Sequence, residues 1–168
     1  MSDAELLSAR AVTHAMDYGY FTIAGGEGDS DELALLDQAQ DSPPSASDGS
    51  MLVVLSPHQN NFAMEVEVQL WSAPPASDPD AWEQVSVESL QVGTSSTVSL
   101  GSPTLPSTES PIPEGRYWVE VSGRGFVAEG WPGSTEPGDR WRLRLWPHDG
   151  DLGADNPSHP RKEWAAPA

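Results

Sequence analysis

Carboxylates are the most abundant ionisable groups in this chain, and histidines are the next to consider. The 168 residues include 26 aspartates and glutamates, four histidines and no cysteine. Glu65 and Glu67 are spaced so that both carboxylates would lie on one face of a strand. Acid–base catalysis needs carboxylates in tuned environments, and with so many acids one such pair has almost no specificity. The histidines are His14, His58, His148 and His159. None stands at metal-ligand spacing from another, so we expect no catalytic residue, no metal and no cofactor.

Several short motifs have the composition of a functional loop without its pattern. The acidic segments 27–32 and 149–155 lack the glycine placement and the terminal glutamate of an EF-hand calcium loop. The glycines at 25–26 and 123–125 mark turns and do not form the strand-to-helix loop that binds phosphate. No serine lies in a Gly-x-Ser-x-Gly elbow. We therefore expect that this chain is not an enzyme.

The charged residues are distributed very unevenly along the chain. The formal net charge is −18, and the segment between Arg10 and Arg116 contains 16 acids and no lysine or arginine. Such a charge keeps a small protein soluble, and it also raises the rate of encounter with a basic partner. Both interpretations stay open for the individual acids. Nucleic-acid binding is not expected, because it requires lysines and arginines that neutralise phosphates.

The arginines cluster near the end of the predicted domain, where they alternate with apolar residues. Three arginines lie on one face of a predicted strand and three apolar residues on the other. The arginines are Arg140, Arg142 and Arg144, and the apolar residues are Trp141, Leu143 and Leu145. One interpretation is cross-strand pairing with Glu65 and Glu67 on a neighbouring strand. The alternative is a cationic stripe that is exposed for a ligand.

Two of the seven tryptophans fall on the polar faces of their predicted strands. The side chain of Trp118 points to the face opposite that of Tyr117, and the side chain of Trp146 points to the face opposite that of Leu145. An exposed tryptophan beside charged residues is typical of an interface hot spot. The alternative is a second buried layer beneath the helix or a loop.

Alternation of apolar and polar residues predicts a mainly β fold. Strands are predicted at Tyr18–Ala24, Met51–Leu55, Phe62–Trp71, Val85–Val92, Val98–Leu100, Tyr117–Val121 and Trp141–Trp146. Asp29–Gln40 is the predicted helix, with Asp29 as its N-cap and Glu32 completing a capping box. Short strands separated by turn signals indicate an antiparallel β-sandwich of about seven strands with one short helix.

The chain divides into an N-terminal extension at 1–13, a β-sandwich domain at 14–147 and a mobile tail at 148–168, where periodicity is lost. The first ten residues lack the basic segment and apolar run of a signal peptide. No apolar stretch has the length of a transmembrane helix. We expect a cytoplasmic protein that does not bind membranes, and the oligomeric state is left open.

The order of several segments matches a known pattern. DYGYFTI at 17–23 is followed by an acidic helical segment at 33–40 and by the turn Ser47-Asp48-Gly49 before the central strands. Later come a proline-rich approach to Pro113-Glu114-Gly115-Arg116-Tyr117 and the final strand segment 142–147. Over residues 14–147 this order resembles the competence protein J family, small β-rich proteins known as inhibitors of a partner DNA-entry nuclease. The resemblance implies a sandwich fold and inhibition of a nuclease or toxin.

We therefore expect an acidic inhibitor or immunity-type protein that blocks a basic protein partner such as a nuclease or toxin. The alternative is a non-catalytic accessory or structural module of a larger assembly. The candidate partner-binding residues are Glu27, Asp29, Asp31, Glu65, Glu67, Asp78, Asp80, Glu83, Trp118 and Trp146.

Overall fold

A computed structural model describes residues 3–126, 138–149 and 161–165. Its strands are β1 (Leu6–Met16), β2 (Tyr20–Ala24), β3 (Ser45–Ser47), β4 (Met51–Leu55), β5 (Asn61–Trp71), β6 (Gln84–Val92), β7 (Thr97–Gly101), β8 (Thr108–Pro111), β9 (Gly115–Arg124) and β10 (Arg140–Pro147). Helix α1 (Glu32–Asp41) follows β2, and a short 3₁₀ helix (Pro79–Ala81) precedes β6. The predicted mainly β fold with one short α-helix is confirmed for the described residues.

The strands form two five-stranded sheets that enclose one core. Sheet A has the order β1-β5-β10-β9-β6, and sheet B has the order β3-β4-β2-β7-β8. All neighbouring strands are antiparallel except β5 and β10, which run parallel. The architecture is thus the predicted sandwich with one parallel pair at the centre of sheet A.

All seven predicted strands are present, and β1, β3 and β8 were not predicted. β3 and β8 are only three and four residues long and consist largely of serine, threonine and glutamate. β1 is an edge strand, and most of its side chains are exposed on both faces. These strands lack the hydrophobic alternation that reveals a half-buried strand, because they contain few buried apolar residues.

The sandwich extends beyond the predicted domain boundaries. β1 begins at Leu6 and pairs with β5, so most of the predicted 1–13 extension belongs to sheet A. At the other end, Lys162 forms a β-bridge with Val85, and Trp164 packs against the core. The predicted tail therefore docks onto the domain at 161–165, while residues 150–160 lie outside the described part of the chain.

The core forms where the inward-facing side chains of both sheets meet. Trp141 of β10 lies at its centre, and its ring meets that of Phe21 from sheet B edge-on at 4.9 Å. Because large side chains interlock here, replacing one with alanine would cost about 3–5 kcal/mol of unfolding free energy. A smaller cluster, which includes Leu35 and Ala39, packs α1 against the outer face of sheet B.

Helix α1 begins two residues later than the sequence pattern suggests. Asp31, not Asp29, is the N-cap, and its carboxylate accepts a hydrogen bond of 3.0 Å from the Ala34 amide. Glu32 does not complete a capping box but accepts a 2.8 Å bond from the Tyr20 hydroxyl. The helix is therefore tied to sheet B by its first residue.

The connection from β5 to β6 shapes the outer face of sheet A. β5 and β6 run in the same direction, with β10 and β9 between them. Residues 72–83 must therefore cross the outer face of these two central strands to join β5 to β6. This crossover places Asp78 and Trp82 directly above the arginines of β10.

Candidate partner-binding surfaces

Two of the three alternating arginines, Arg144 and the partly buried Arg142, belong to an ionic cluster on the outer face of sheet A. Arg144 Nε donates to Glu120 Oε1 at 2.6 Å, and Arg142 Nη2 also lies 3.2 Å from that oxygen. Both guanidinium groups reach the crossover as well, at 2.6 Å and 3.2 Å from Asp78 Oδ1. Glu120 and Arg144 are almost fully buried. The cluster therefore fastens the crossover onto β9 and β10.

The electrostatics of Asp78 follow from these contacts. Hydrogen bonds from Arg142, together with the charges of Arg142 and Arg144, lower the pKa of this carboxyl group below its usual value. The Trp82 ring lies between the guanidinium groups of Arg124 and Arg142, at 4.6 Å and 4.7 Å from its centre. Such stacking adds cation–π attraction to the ion pairs. Asp78 is thus engaged by the protein's own arginines, although its side chain remains 39% exposed.

The sequence left two interpretations of the arginine stripe, and the structure favours pairing with different partners from those expected. Glu65 and Glu67 were the acids expected to pair with this stripe. Of the three arginines, Arg140 approaches one of them, with 4.0 Å between Arg140 Nη1 and Glu65 Oε1 and both side chains largely exposed. Arg142 lies opposite Glu67 in the β5–β10 register. Glu67, however, accepts a hydrogen bond from Gln69, while Arg142 turns to Asp78 and Glu120. An exposed stripe of three arginines is ruled out.

The two candidate tryptophans belong to the second buried layer. Trp146 is completely buried and cannot contact a partner in this structure. Its predicted role as a binding residue is therefore corrected. Trp118 is half-buried, and its ring stacks on that of His148 with 3.9 Å between centres. Both lie on the outer face of sheet A, the face that the crossover covers. The strand period correctly separated them from the core, but it could not show that a loop would bury that face.

The predicted acids of the crossover have different roles. Asp80 is exposed in the 3₁₀ helix. Glu83 accepts hydrogen bonds from the amides of Gly125 and Phe126, at 2.6 Å and 3.1 Å. It therefore holds the end of β9 and is not available as a free surface charge. A cavity of about 560 Å³ lies beside these residues, with Arg124 and Lys162 also in its wall.

The predicted acids near α1 are all exposed. Glu27 and Asp29 lie in the segment before the helix, and Asp31 is exposed although it caps the helix. Glu65 and Glu67 lie on the other sheet. The structure therefore separates the predicted site residues into two groups and does not bring them together as one site.

Sheet B and α1 carry no lysine or arginine. Their strands, the helix and the adjoining turns instead carry exposed carboxylates. We call these residues the acidic sector: Glu27, Asp29, Asp31, Asp37, Asp41, Asp48 and Glu109. The chain's eight basic residues all lie in β1, β9, β10 or at 161–162. The two sheets thus differ in charge, which the sequence indicated only as a long interval without basic residues.

A buried polar network that the sequence did not reveal lies at the end of the sandwich where β5 and β10 begin. The Asp139 carboxylate accepts 2.6 Å hydrogen bonds from both Asn61 Nδ2 and Trp141 Nε1. His58 Nε2 lies 3.6 Å from the same carboxylate. Burial raises the pKa of Asp139, and its donors and His58 act in the opposite direction. No motif could have indicated this network, because its members come from two segments almost 80 residues apart, 58–61 and 139–141.

Among the described residues, no group of histidine, aspartate and glutamate side chains is arranged to hold a metal ion. Within the same part of the chain, no helix is long and apolar enough to cross a membrane. His14, which is buried, uses both ring nitrogens for contacts with Thr108 and Gly101. Desolvation lowers its pKa, and its role in the structure is to join β1 to the strands of sheet B.

Comparison with known proteins gives a match at the level of the fold. No protein-family model matches the chain, and no curated protein matches it in sequence. Two solved structures match with probability 1.00. One is ComJ from Bacillus subtilis, an inhibitor of the DNA-degrading activity of NucA, with a TM-score of 0.59, 12% identity, and coverage of 88% of this chain and all of ComJ. The other is described as crocagin biosynthetic gene J, with a TM-score of 0.54, 14% identity, and coverage of 87% of this chain and 99% of that one.

These similarities cover both sheets, whereas the identities are too low to compare individual residues. The family suggested by the order of segments is thus supported by the three-dimensional arrangement of the strands. This chain has the ComJ-like fold.

Proposed function

We propose that this protein is an anionic inhibitor that binds a basic protein, such as a nuclease or toxin, and blocks access of nucleic acid to it. ComJ, which shares the fold, inhibits the DNA-degrading activity of NucA and is itself an inhibitor rather than an enzyme. That similarity supports an inhibitory role at the level of the fold. The choice of partner rests on charge.

The observation that carries the proposal is the absence of basic residues from sheet B and α1. Several of the few basic side chains also form ion pairs or hydrogen bonds within the protein. Arg142 and Arg144 are held by Asp78 and Glu120, and Arg161 is held by Glu88 and backbone carbonyls. The elements of the acidic sector therefore carry no cation of their own, although Arg161 donates to the Ser42 carbonyl beside Asp41. A nuclease is basic where it holds phosphates, so such a surface can compete with DNA there.

Of the predicted contact residues, Glu27, Asp29 and Asp31 belong to this proposed surface. Glu65 and Asp80 are exposed on the side of sheet A and would extend the contact if the partner reaches around the sandwich. Asp78, Glu83 and Trp146 have structural roles and are not part of the proposed contact.

The test is inhibition of DNA digestion. Two purified probes are used: NucA, and the protein encoded next to the gene for this chain. We expect the protein to slow digestion of plasmid DNA by at least one probe, and to bind that probe in the absence of DNA. A triple variant, Asp31→Asn with Asp37→Asn and Asp41→Asn, should inhibit less well. If the wild-type protein binds neither probe and leaves both digestions unchanged, the proposal is rejected.

A further inference from the structure

Two exposed aromatic side chains lie on neighbouring backbone segments at one end of the sandwich. Tyr18 is 65% exposed and Phe62 is 55% exposed. Met16 pairs with Asn61 at the end of the β1–β5 ladder, and the Gly19 amide donates to the Gln59 carbonyl at 2.8 Å. Tyr18 precedes Gly19, which makes the second contact, and Phe62 follows Asn61, which makes the first. They therefore belong to the same surface, which we call the aromatic end.

The backbone at Tyr18 has an unfavourable conformation that exposes the ring. Its φ of 56° lies in the left-handed region, which bulky residues rarely adopt. Both neighbours are fixed: Asp17 Oδ1 accepts a hydrogen bond from Ser102 at 2.7 Å, and the Gly19 carbonyl accepts one from Ser56. Contacts from two loops thus hold Tyr18 in a strained geometry. Strain that the surroundings enforce is concentrated at functional sites.

A second irregularity exposes Phe62. Between the pairs His14–Met64 and Met16–Asn61, β5 has one more residue than β1, which makes a β-bulge at Phe62 and Ala63. A bulge redirects side chains at the edge of a sheet. Here it leaves Phe62 and Ala63 exposed while Met64 and Asn61 on either side are buried.

The bulge rests on the buried Asp139 network. Asn61 Oδ1 accepts a 3.1 Å hydrogen bond from the Ala63 amide, and Asn61 Nδ2 donates to Asp139 at 2.6 Å. The bulged backbone is therefore anchored to a carboxylate at the start of β10. Two independent departures from regular structure, each supported by internal hydrogen bonds, expose two aromatic rings at one end of the molecule.

We infer that the aromatic end is the short-range contact through which this protein holds its basic partner, an inference that rests on the proposed function. The described charges closest along the chain to the two rings are Asp17 and Glu65, both acids, and Glu65 also lies 4.0 Å from the exposed Arg140. Lysine and arginine side chains of a basic partner can stack on exposed aromatic faces while their charges lie near these carboxylates. Tyrosine and tryptophan, with arginine, are the residues that dominate binding energy at interfaces.

This inference separates two kinetic roles. The acidic sector acts over a distance and raises the association rate. The aromatic end acts only on contact, so its loss should appear in the dissociation rate. The experiment measures both rates by surface plasmon resonance, using whichever probe, NucA or the adjacent-gene product, the wild-type protein binds.

The variants are Tyr18→Asn and Phe62→Gln, with Leu7→Gln as the matched control. Leu7 is also 55% exposed, but it lies near the opposite end of β1, next to the Leu6–Trp71 pair. We expect dissociation to be about tenfold faster for each of the first two variants, and both rates to be unchanged for Leu7→Gln. Asparagine tolerates the left-handed conformation, so Tyr18→Asn should not lower the melting temperature. Weaker binding without loss of stability would support a contact role.

The outcomes distinguish this inference from the proposed function. If the wild-type protein binds and both aromatic variants dissociate at the wild-type rate, the aromatic end is not the contact, and the proposed function stands. If Leu7→Gln dissociates as fast as Phe62→Gln, the effect is not specific and the inference is rejected. If the wild-type protein binds neither probe, both proposals are rejected.

Discussion

At the scale of single residues, charge pairing determines which acids can act on a partner. Glu120 and Asp78 resemble the other acids in sequence, but both are bound by the guanidinium groups of β10. The pairing depends on the crossover, which brings Asp78 over strands that are distant in sequence. Sequence could therefore identify the arginine stripe, whereas the acids that neutralise it could be identified only from the fold.

Replacement of Arg144 by methionine tests this cluster. Glu120 would remain buried without its 2.6 Å partner Arg144, and removal of one partner from a buried ion pair typically costs about 3–5 kcal/mol. We expect a decrease near the lower end of that range in the free energy of unfolding, measured by urea titration. Arg140→Met is the control, because the exposed 4.0 Å contact with Glu65 should contribute less than about 1 kcal/mol. Equal effects of the two substitutions would contradict the assignment.

At the scale of secondary-structure elements, sequence patterns located the strands better than their ends. The alternating apolar residues of β5 and β10 predicted both strands, since one face of each is buried in the core. β1 was not predicted because most of its side chains are exposed. The start of α1 was also misplaced, because the three acids at 29, 31 and 32 are equivalent in pattern and only the backbone geometry selects Asp31.

The position of the N-cap gives a prediction with an internal control. Asp31→Ala removes the acceptor for the Ala34 amide, and loss of an N-cap typically costs about 1 kcal/mol. Asp29→Ala removes an exposed acid that does not cap α1, so we expect a change within about 0.5 kcal/mol. Urea unfolding of the two variants measures the difference. If Asp29→Ala lowered the free energy of unfolding more than Asp31→Ala, the result would favour the capping box expected from the sequence.

At the scale of the whole molecule, the proposed function depends on the separation of charge between the sheets. The acids of the acidic sector come from α1, from β8 and from several turns, and the fold brings them together on the side of sheet B. The cations are collected on sheet A and at 161–162, where several of them bind their own chain. The electrostatic field that results from the net charge of −18 should therefore be most negative on the side of sheet B.

Salt should act mainly on association if this field guides the partner. Raising NaCl from about 0.05 M to 0.5 M shortens the screening length several-fold. We expect association with the bound probe to slow about tenfold or more, while dissociation changes by less than about threefold. Stopped-flow fluorescence of the tryptophans can measure both rates. An association rate that is independent of salt would contradict steering by the acidic sector.

The sequence by itself determined the class of fold, the shortage of catalytic motifs and the acidic character, because all three depend on composition and on short-range periodicity. It also indicated the ComJ-like arrangement from the order of segments. Only the tertiary structure decided which acids are exposed, because Asp78 and Glu83 are bound by residues more than 40 positions away. It likewise decided that Trp146 is buried while Tyr18 and Phe62 are not. Burial and pairing depend on which distant segments meet, and local sequence patterns do not contain that information.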